Sequence, residues 1–206
     1  IPFIDGCDKE VSLHAGSRIS YPERFSSKKR NVMLDGEAYF KVARNELKPF
    51  IVASGDARVE VLGTQFNVNT RKLAGKMEVV LTNGKVSVYY RGKQKDKVLL
   101  MPGEKAEIFP ISKVINKTIN TDPNYMAWKT RIIVFDDQPL QEVVSTLQNI
   151  YQKNITISGP QLAQCRVSAS FNNQSLQSVL EVISETLDLK VKYNKESVEL
   201  TGNGCR

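Results

Sequence analysis

The sequence predicts a mixed fold. An all-β domain of about ten short strands, an antiparallel sandwich or a solenoid, is followed by a small α+β domain of two βαβ repeats. Three observations predict it. Up to Phe109 the chain runs in short alternating apolar segments with Gly-containing turns between them and no long helical pattern. After Asp122 two helical patterns dominate, Leu140-Val143-Val144-Leu147-Ile150 and Leu176-Val179-Leu180-Ile183-Leu187. One block also recurs 36 residues on: Phe135-Asp136-Asp137-Gln138-Pro139-Leu140-Gln141-Glu142-Val143 returns as Phe171-Asn172-Asn173-Gln174-Ser175-Leu176-Gln177-Ser178-Val179.

The first domain is assigned to residues 1–112. Its strands are read, in order, around Val11–Leu13, Val32–Leu34, Ala38–Val42, Phe50–Val52, Arg58–Leu62, Gln65–Asn69, Met77–Leu81, Val86–Tyr89, Val98–Leu100 and Lys105–Phe109. Turn signals separate them at Asp35-Gly36, Gly63, Asn83-Gly84, Arg91-Gly92 and Pro102-Gly103. Asn-Gly and Asp-Gly supply the positive φ that tight hairpins need. Periodicity does not choose between sandwich, barrel and solenoid. Residues 113–127 are mostly polar, lie among prolines and read as a linker.

Residues 128–206 form the repeat domain. In each copy a strand leads into a helix, and the apolar period then changes from 3.6 to 2, at Ile155 and Ile157 and again at Leu189, Val191 and Tyr193. Pro139 suits the first helical turn, where its missing N–H leaves no bond unmade, and Ser175 at the matching place is a helix cap.

Hydrophobic residues at 41% and charged residues at 25% describe an ordinary globular composition. No run approaches the ~18 apolar residues of a membrane helix. The first residue is Ile1 rather than Met, so a targeting segment or a further domain is expected to have preceded it. The net charge is +7, but the cations are scattered, as in Lys28-Lys29-Arg30 and Arg91, Lys93, Lys95 and Lys97. Neither run is interleaved with aromatic residues, so a solvated basic surface is expected, with no nucleic-acid partner.

Signals for chemistry are weak, and no enzyme is expected. Glu37 and Glu104 each follow a glycine with nothing to bring them together. Ser17 and Ser54 lack a Gly-x-Ser-x-Gly context, and His14 is the single histidine. The cysteines Cys7, Cys165 and Cys205 form no metal-ligand spacing, so neither a metal nor another cofactor is predicted. Cys165 opens the first strand of the second repeat and Cys205 follows its last. Their pairing is expected, with two free thiols as the alternative, and it leaves Cys7 over. A glycan- or envelope-binding β-domain is a second functional reading, with Tyr39, Tyr89 and Tyr90 as stacking surfaces.

Several blocks carry a family likeness. They are Ala15-Gly16-Ser17-Arg18-Ile19-Ser20-Tyr21-Pro22, Leu34-Asp35-Gly36-Glu37-Ala38-Tyr39-Phe40-Lys41-Val42, Pro49-Phe50-Ile51-Val52, Val61-Leu62-Gly63-Thr64-Gln65-Phe66-Asn67-Val68 and Pro102-Gly103-Glu104 with Ala106. In this order they resemble the FecR family of periplasmic sigma-factor regulators. The Phe-x-x-Gln-x-Leu-Gln-x-Val blocks at Phe135 and Phe171 resemble the C-terminal domain that accompanies it, which is similar to the short N-terminal domain of secretins and TonB-dependent receptors. The resemblance implies a periplasmic signalling portion, anchored in the inner membrane by a helix outside this chain. It implies an extracytoplasmic-function sigma factor bound through a cytoplasmic region, also outside it. The remaining implied partner is the signalling domain of an outer-membrane TonB-dependent transporter. Docking is expected by strand addition or on a sheet face of the repeat domain, with the last strand, Glu196–Thr201, as a candidate edge and Ser197 and Glu199 as partner-binding residues.

Overall fold

A computed structural model of the chain describes residues 10–72, 75–159 and 161–205. Cys7, the expected unpaired thiol, lies outside them. The chain divides into two compact units between Thr121 and Asp122.

The first unit contains two six-stranded sheets that share one core. Sheet one orders its strands as β1 (Glu10–Leu13), β4 (Glu37–Val42), β7 (Thr64–Lys72), β8 (Lys76–Asn83), β11 (Glu104–Phe109) and β12 (Val114–Ile119). Sheet two runs β10 (Val98–Leu100), β9 (Val86–Tyr90), β6 (Ala57–Val61), β5 (Phe50–Ser54), β3 (Arg30–Asp35) and β2 (Arg18–Ser20). Alternation places one face of each strand inward, as in β3, where Arg30, Val32 and Leu34 are buried while Asn31, Met33 and Asp35 are exposed. Phe40, Phe50 and Phe66 meet at the centre, with the Phe40 ring stacked 5.1 Å from Phe66 and 5.8 Å from Phe50.

Three details depart from the sequence reading. Strand β2 is too short to alternate visibly. Strand β12 lies inside the stretch read as a linker and pairs along its whole length with β11. Strands β3 and β5 pair in parallel, so the sandwich is not wholly antiparallel. Two glycines are fixed by local geometry. At Gly36, φ is +113° and an added Cβ would lie 2.4 Å from Ser17 Oγ. At Gly63 the Cα of Arg44 would lie 2.4 Å from such a Cβ, so close approach rather than positive φ demands glycine there.

The second unit starts with a short helix, α1 (Ala127–Thr130), which buries Trp128. The repeats follow as β13 (Ile132–Pro139), α2 (Leu140–Tyr151) and β14 (Asn154–Ser158), then β15 (Arg166–Asn172), α3 (Leu176–Leu187) and β16 (Lys190–Tyr193). Strand β17 (Ser197–Thr201) closes the unit. Neither repeat pairs its own two strands with each other. β13 pairs with β15 in a two-stranded sheet, while β14 and β16 lie on either side of β17 in a three-stranded one. Both helices bury their apolar faces in a core built with residues of both sheets.

The duplication has local twofold symmetry. Val134 pairs with Ser170, its own counterpart 36 residues on, and the pairs Ile133–Phe171 and Phe135–Ala169 exchange under the same operation. The rings of Phe135 and Phe171 meet edge to face at 6.4 Å beside this axis. Matching residues also adopt positive φ: Asp137 (49°) with Asn173 (51°) before the helices, and Gln152 (52°) with Asp188 (54°) after them. Asp and Asn enter the left-handed region more readily than most residues, which explains why the repeated block keeps them there.

Candidate functional site

The β1–β4 register brings His14 to Glu37, with Nδ1 3.4 Å from Oε2, and both side chains are buried. Asn67 and Asn69, neighbours on one face of β7, donate to the two carboxylate oxygens of Glu37 at 2.8 and 3.0 Å. Ser17 Oγ accepts the Glu37 N–H at 2.8 Å. Serine, histidine and glutamate therefore meet, which the sequence alone does not reveal. The serine hydroxyl serves the backbone, and the carboxylate is enclosed and served by two amides. This arrangement pins the turn after β1 onto the turn between β3 and β4, a positioning role.

Glu104 is engaged elsewhere. It accepts the Met101 N–H at 2.7 Å and pairs with Lys117 at 2.6 Å. The Lys117 ammonium, followed by the Met101 N–H, holds its carboxyl below the ordinary glutamate value. The three tyrosines read as stacking surfaces are buried, with their hydroxyls engaged: Tyr39 donates to Gln65, Tyr89 to Glu60, and Tyr90 to the Phe109 carbonyl. Glycan stacking on them is corrected by that burial. Arg30, counted in a basic run, is buried as well and donates from Nε to the Lys48 carbonyl at 2.7 Å. Among the described residues no group of three or more His, Cys, Asp or Glu side chains is placed to hold a metal ion.

In the second unit the last strand is not an edge. β17 lies between β14, parallel to it, and β16, antiparallel to it, so both sides of its backbone are taken. The expected partner-binding residues are accordingly used within the sheet. Ser197 accepts from Asn194 at its carbonyl (2.8 Å), and Glu199 Oε1 accepts from Ser158 Oγ at 2.5 Å. The edges fall to the duplicated strands. β16 presents exposed Lys190 and Lys192, the charges that blunt an edge against pairing. β14 reads Asn-Ile-Thr-Ile-Ser, with no charge and with Asn154, Thr156 and Ser158 exposed.

Cys165 and Cys205 are joined by a disulfide that closes a span of 40 residues. The link ties the tail beyond β17 to the turn that precedes β15. In the chain-entropy model a loop of this length contributes about 4 kcal/mol. Reduction, or a Cys205→Ser substitution, is therefore expected to lower the melting temperature of the second unit by roughly 10 °C or more. Mass spectrometry without reductant checks the bond, and calorimetry with and without reductant checks its contribution.

The outer face of sheet two is concave. A groove of about 690 Å³ crosses it, floored by Ile51, Ala53 and Tyr89, with Lys29, Arg58 and Arg91 among the residues that line it. Burial, and next the carboxylate of Glu60, push the Tyr89 phenol well above its ordinary value, so it remains a neutral donor.

The chain thus combines a β-sandwich that holds a buried positioning network with a duplicated α+β unit. Residues 2–87 match the family model described as FecR protein, and residues 132–200 match FecR, C-terminal. The chain belongs to the FecR family of anti-sigma factors. Two crystal structures of a candidate anti-sigma factor from Parabacteroides distasonis ATCC 8503, at 1.65 and 2.50 Å resolution, are similar to it. Both are 28% identical and cover 95% of this chain and 91% of that one, with TM-scores of 0.73 and 0.72. Comparison with curated proteins returned no match. None of the helices among the described residues is long and apolar enough to cross a membrane.

Proposed function

We propose that this chain is the periplasmic signalling portion of a regulator anchored in the inner membrane. It receives the signalling domain of an outer-membrane TonB-dependent transporter and controls an extracytoplasmic-function sigma factor through a cytoplasmic region outside this chain. The FecR-family match carries the reading, and the division of roles in the three-stranded sheet supports its docking edge. β17 is locked in the centre, β16 is guarded by lysines, and β14 is left as an uncharged edge.

An extended segment of the transporter domain adds beside β14, with backbone bonds supplying affinity and alternate side chains supplying selectivity. One acceptor on that strand is already covered, since Gln148 Nε2 donates to the Ile155 carbonyl at 2.7 Å. The incoming strand must displace that amide or start beyond it. The test is calorimetric titration of the chain with the cognate transporter's signalling domain. Binding in the micromolar range is expected, with at least a tenfold loss for Thr156→Lys, which places a charge on the edge opposite Glu199 while leaving the melting temperature within about 2 °C. No heat of binding at high micromolar concentration overturns the docking role. Unchanged affinity of Thr156→Lys overturns its assignment to β14.

A further inference from the structure

We propose that the groove across the outer face of sheet two binds an acidic peptide segment carrying an apolar side chain. The site is separate from the docking edge of the second unit and does not depend on it.

The groove crosses β9, β6, β5 and β3, which are neighbours in that order. Four strands at ~4.8 Å spacing give a floor about 14 Å across, the length of four to five extended residues at ~3.3 Å each. The connection through Tyr21 and Pro22 lines one part of it and the turn from Arg91 to Gln94 another. Tyr89, Glu60 and Gln94 brace that turn through mutual hydrogen bonds of 2.7 to 3.2 Å.

The chemistry of the lining selects the ligand. Lys29, Arg58 and Arg91 contribute three cations, and no carboxylate lines the groove. Arg58 is held over the floor by two bonds from Nη1, to the carbonyls of Gly55 and Ala57, each 2.7 Å. A guanidinium fixed in this way is prepared to meet a carboxylate with little further loss of side-chain freedom. Arg91 lies 3.3 Å from Asp56, but that carboxylate also serves Lys113 at 2.8 Å, so the cluster keeps a positive excess. Met33 offers an apolar contact beside the cations, 63% exposed on a strand whose alternate residues are core. A sheet face has no free backbone groups to offer, so recognition must come from these side chains: carboxylates on the arginines and the lysine, an apolar side chain on Met33 and Ile51.

The test is a titration of the isotope-labelled chain with acetyl-Asp-Glu-Phe-Asp-Glu-amide, followed by amide shifts, with acetyl-Asn-Gln-Phe-Asn-Gln-amide as the neutral control. Saturable shifts confined to β3, β5, β6, β9 and their flanking turns are expected, at least tenfold tighter than for the control. Arg58→Glu should abolish them. Because Arg58 also holds local carbonyls, the exposed pair Lys29→Glu with Arg91→Glu serves as the second variant and should weaken binding at least tenfold with an unchanged fold. Equal binding of the neutral peptide, shifts spread over all basic surfaces, or no saturation at millimolar peptide would each overturn the proposal. No transporter domain enters this experiment, so its failure leaves the docking reading untouched.

Discussion

Leu140→Asp is expected to unfold the second unit. Leu140 is the first residue of α2 and is wholly buried, and its N–H donates to the Cys165 carbonyl at 2.7 Å. Truncating a leucine in such a core costs about 2–5 kcal/mol. An unpaired carboxylate in the same apolar cluster adds several more. The sum is comparable to the whole stability of a small domain, roughly 5–15 kcal/mol. The apolar cores of the two units are built from separate sets of residues, so protection of β3 to β9 should persist while that of β13 to β17 is lost. Amide hydrogen exchange reads both together. Gln141→Asp, one residue on and exposed, is the control and should change stability by no more than about 0.5 kcal/mol. If Leu140→Asp keeps the protection of α2, the two-helix core is wrong.

Gly36→Ala is the largest expected effect in the first unit. The backbone at Gly36 has φ +113°, a region that residues with a Cβ rarely enter, at a strain of about 1–3 kcal/mol. The added carbon would also fall 2.4 Å from Ser17 Oγ and 2.7 Å from Ser17 Cα. Movement away is resisted on the other side, because the Gly36 N–H donates to Thr70 Oγ1 at 2.8 Å and its carbonyl accepts the Thr70 N–H at 2.8 Å. Overpacking adds roughly 1–3 kcal/mol, for a combined loss of about 2–6. The displaced Ser17 would also release the Glu37 N–H and loosen the contact of Glu37 with His14. Gly55→Ala gives the comparison. Its φ is +52° and nothing lies within 4 Å of an added Cβ, so the left-handed backbone alone costs about 1–2 kcal/mol. Urea unfolding of the two variants separates them, and equal losses would show that Ser17 yields freely.

The elements most legible in the sequence were those whose burial alternates. β3 and β6 bury every second residue, and α2 and α3 bury the apolar positions that recur at helical spacing, except Leu176, which is half-buried. β12 escaped because it is exposed along nearly its whole length, so no apolar period marks it. The place of β17 was hidden for a different reason. Val198 and Leu200 are buried and Ser197 and Glu199 half-buried, a pattern that an edge strand facing a core shares with a central one. Centre or edge is decided by partners that lie about 40 residues before it and directly before it in sequence. Convergence of His14, Glu37, Asn67 and Asn69 likewise depends on the register of three strands, which no local spacing encodes. The Phe135–Phe171 repeat was visible at once. That its copies pair through Val134 and Ser170 follows only from the register.

The reading of β14 as the receiving edge can be examined directly by hydrogen exchange on the chain with and without the transporter's signalling domain. Added protection concentrated in Asn154–Ser158, with β16 and the first unit unchanged, is the predicted result. Protection spread over β16, or confined to the first unit while β14 exchanges as in the free chain, would contradict it.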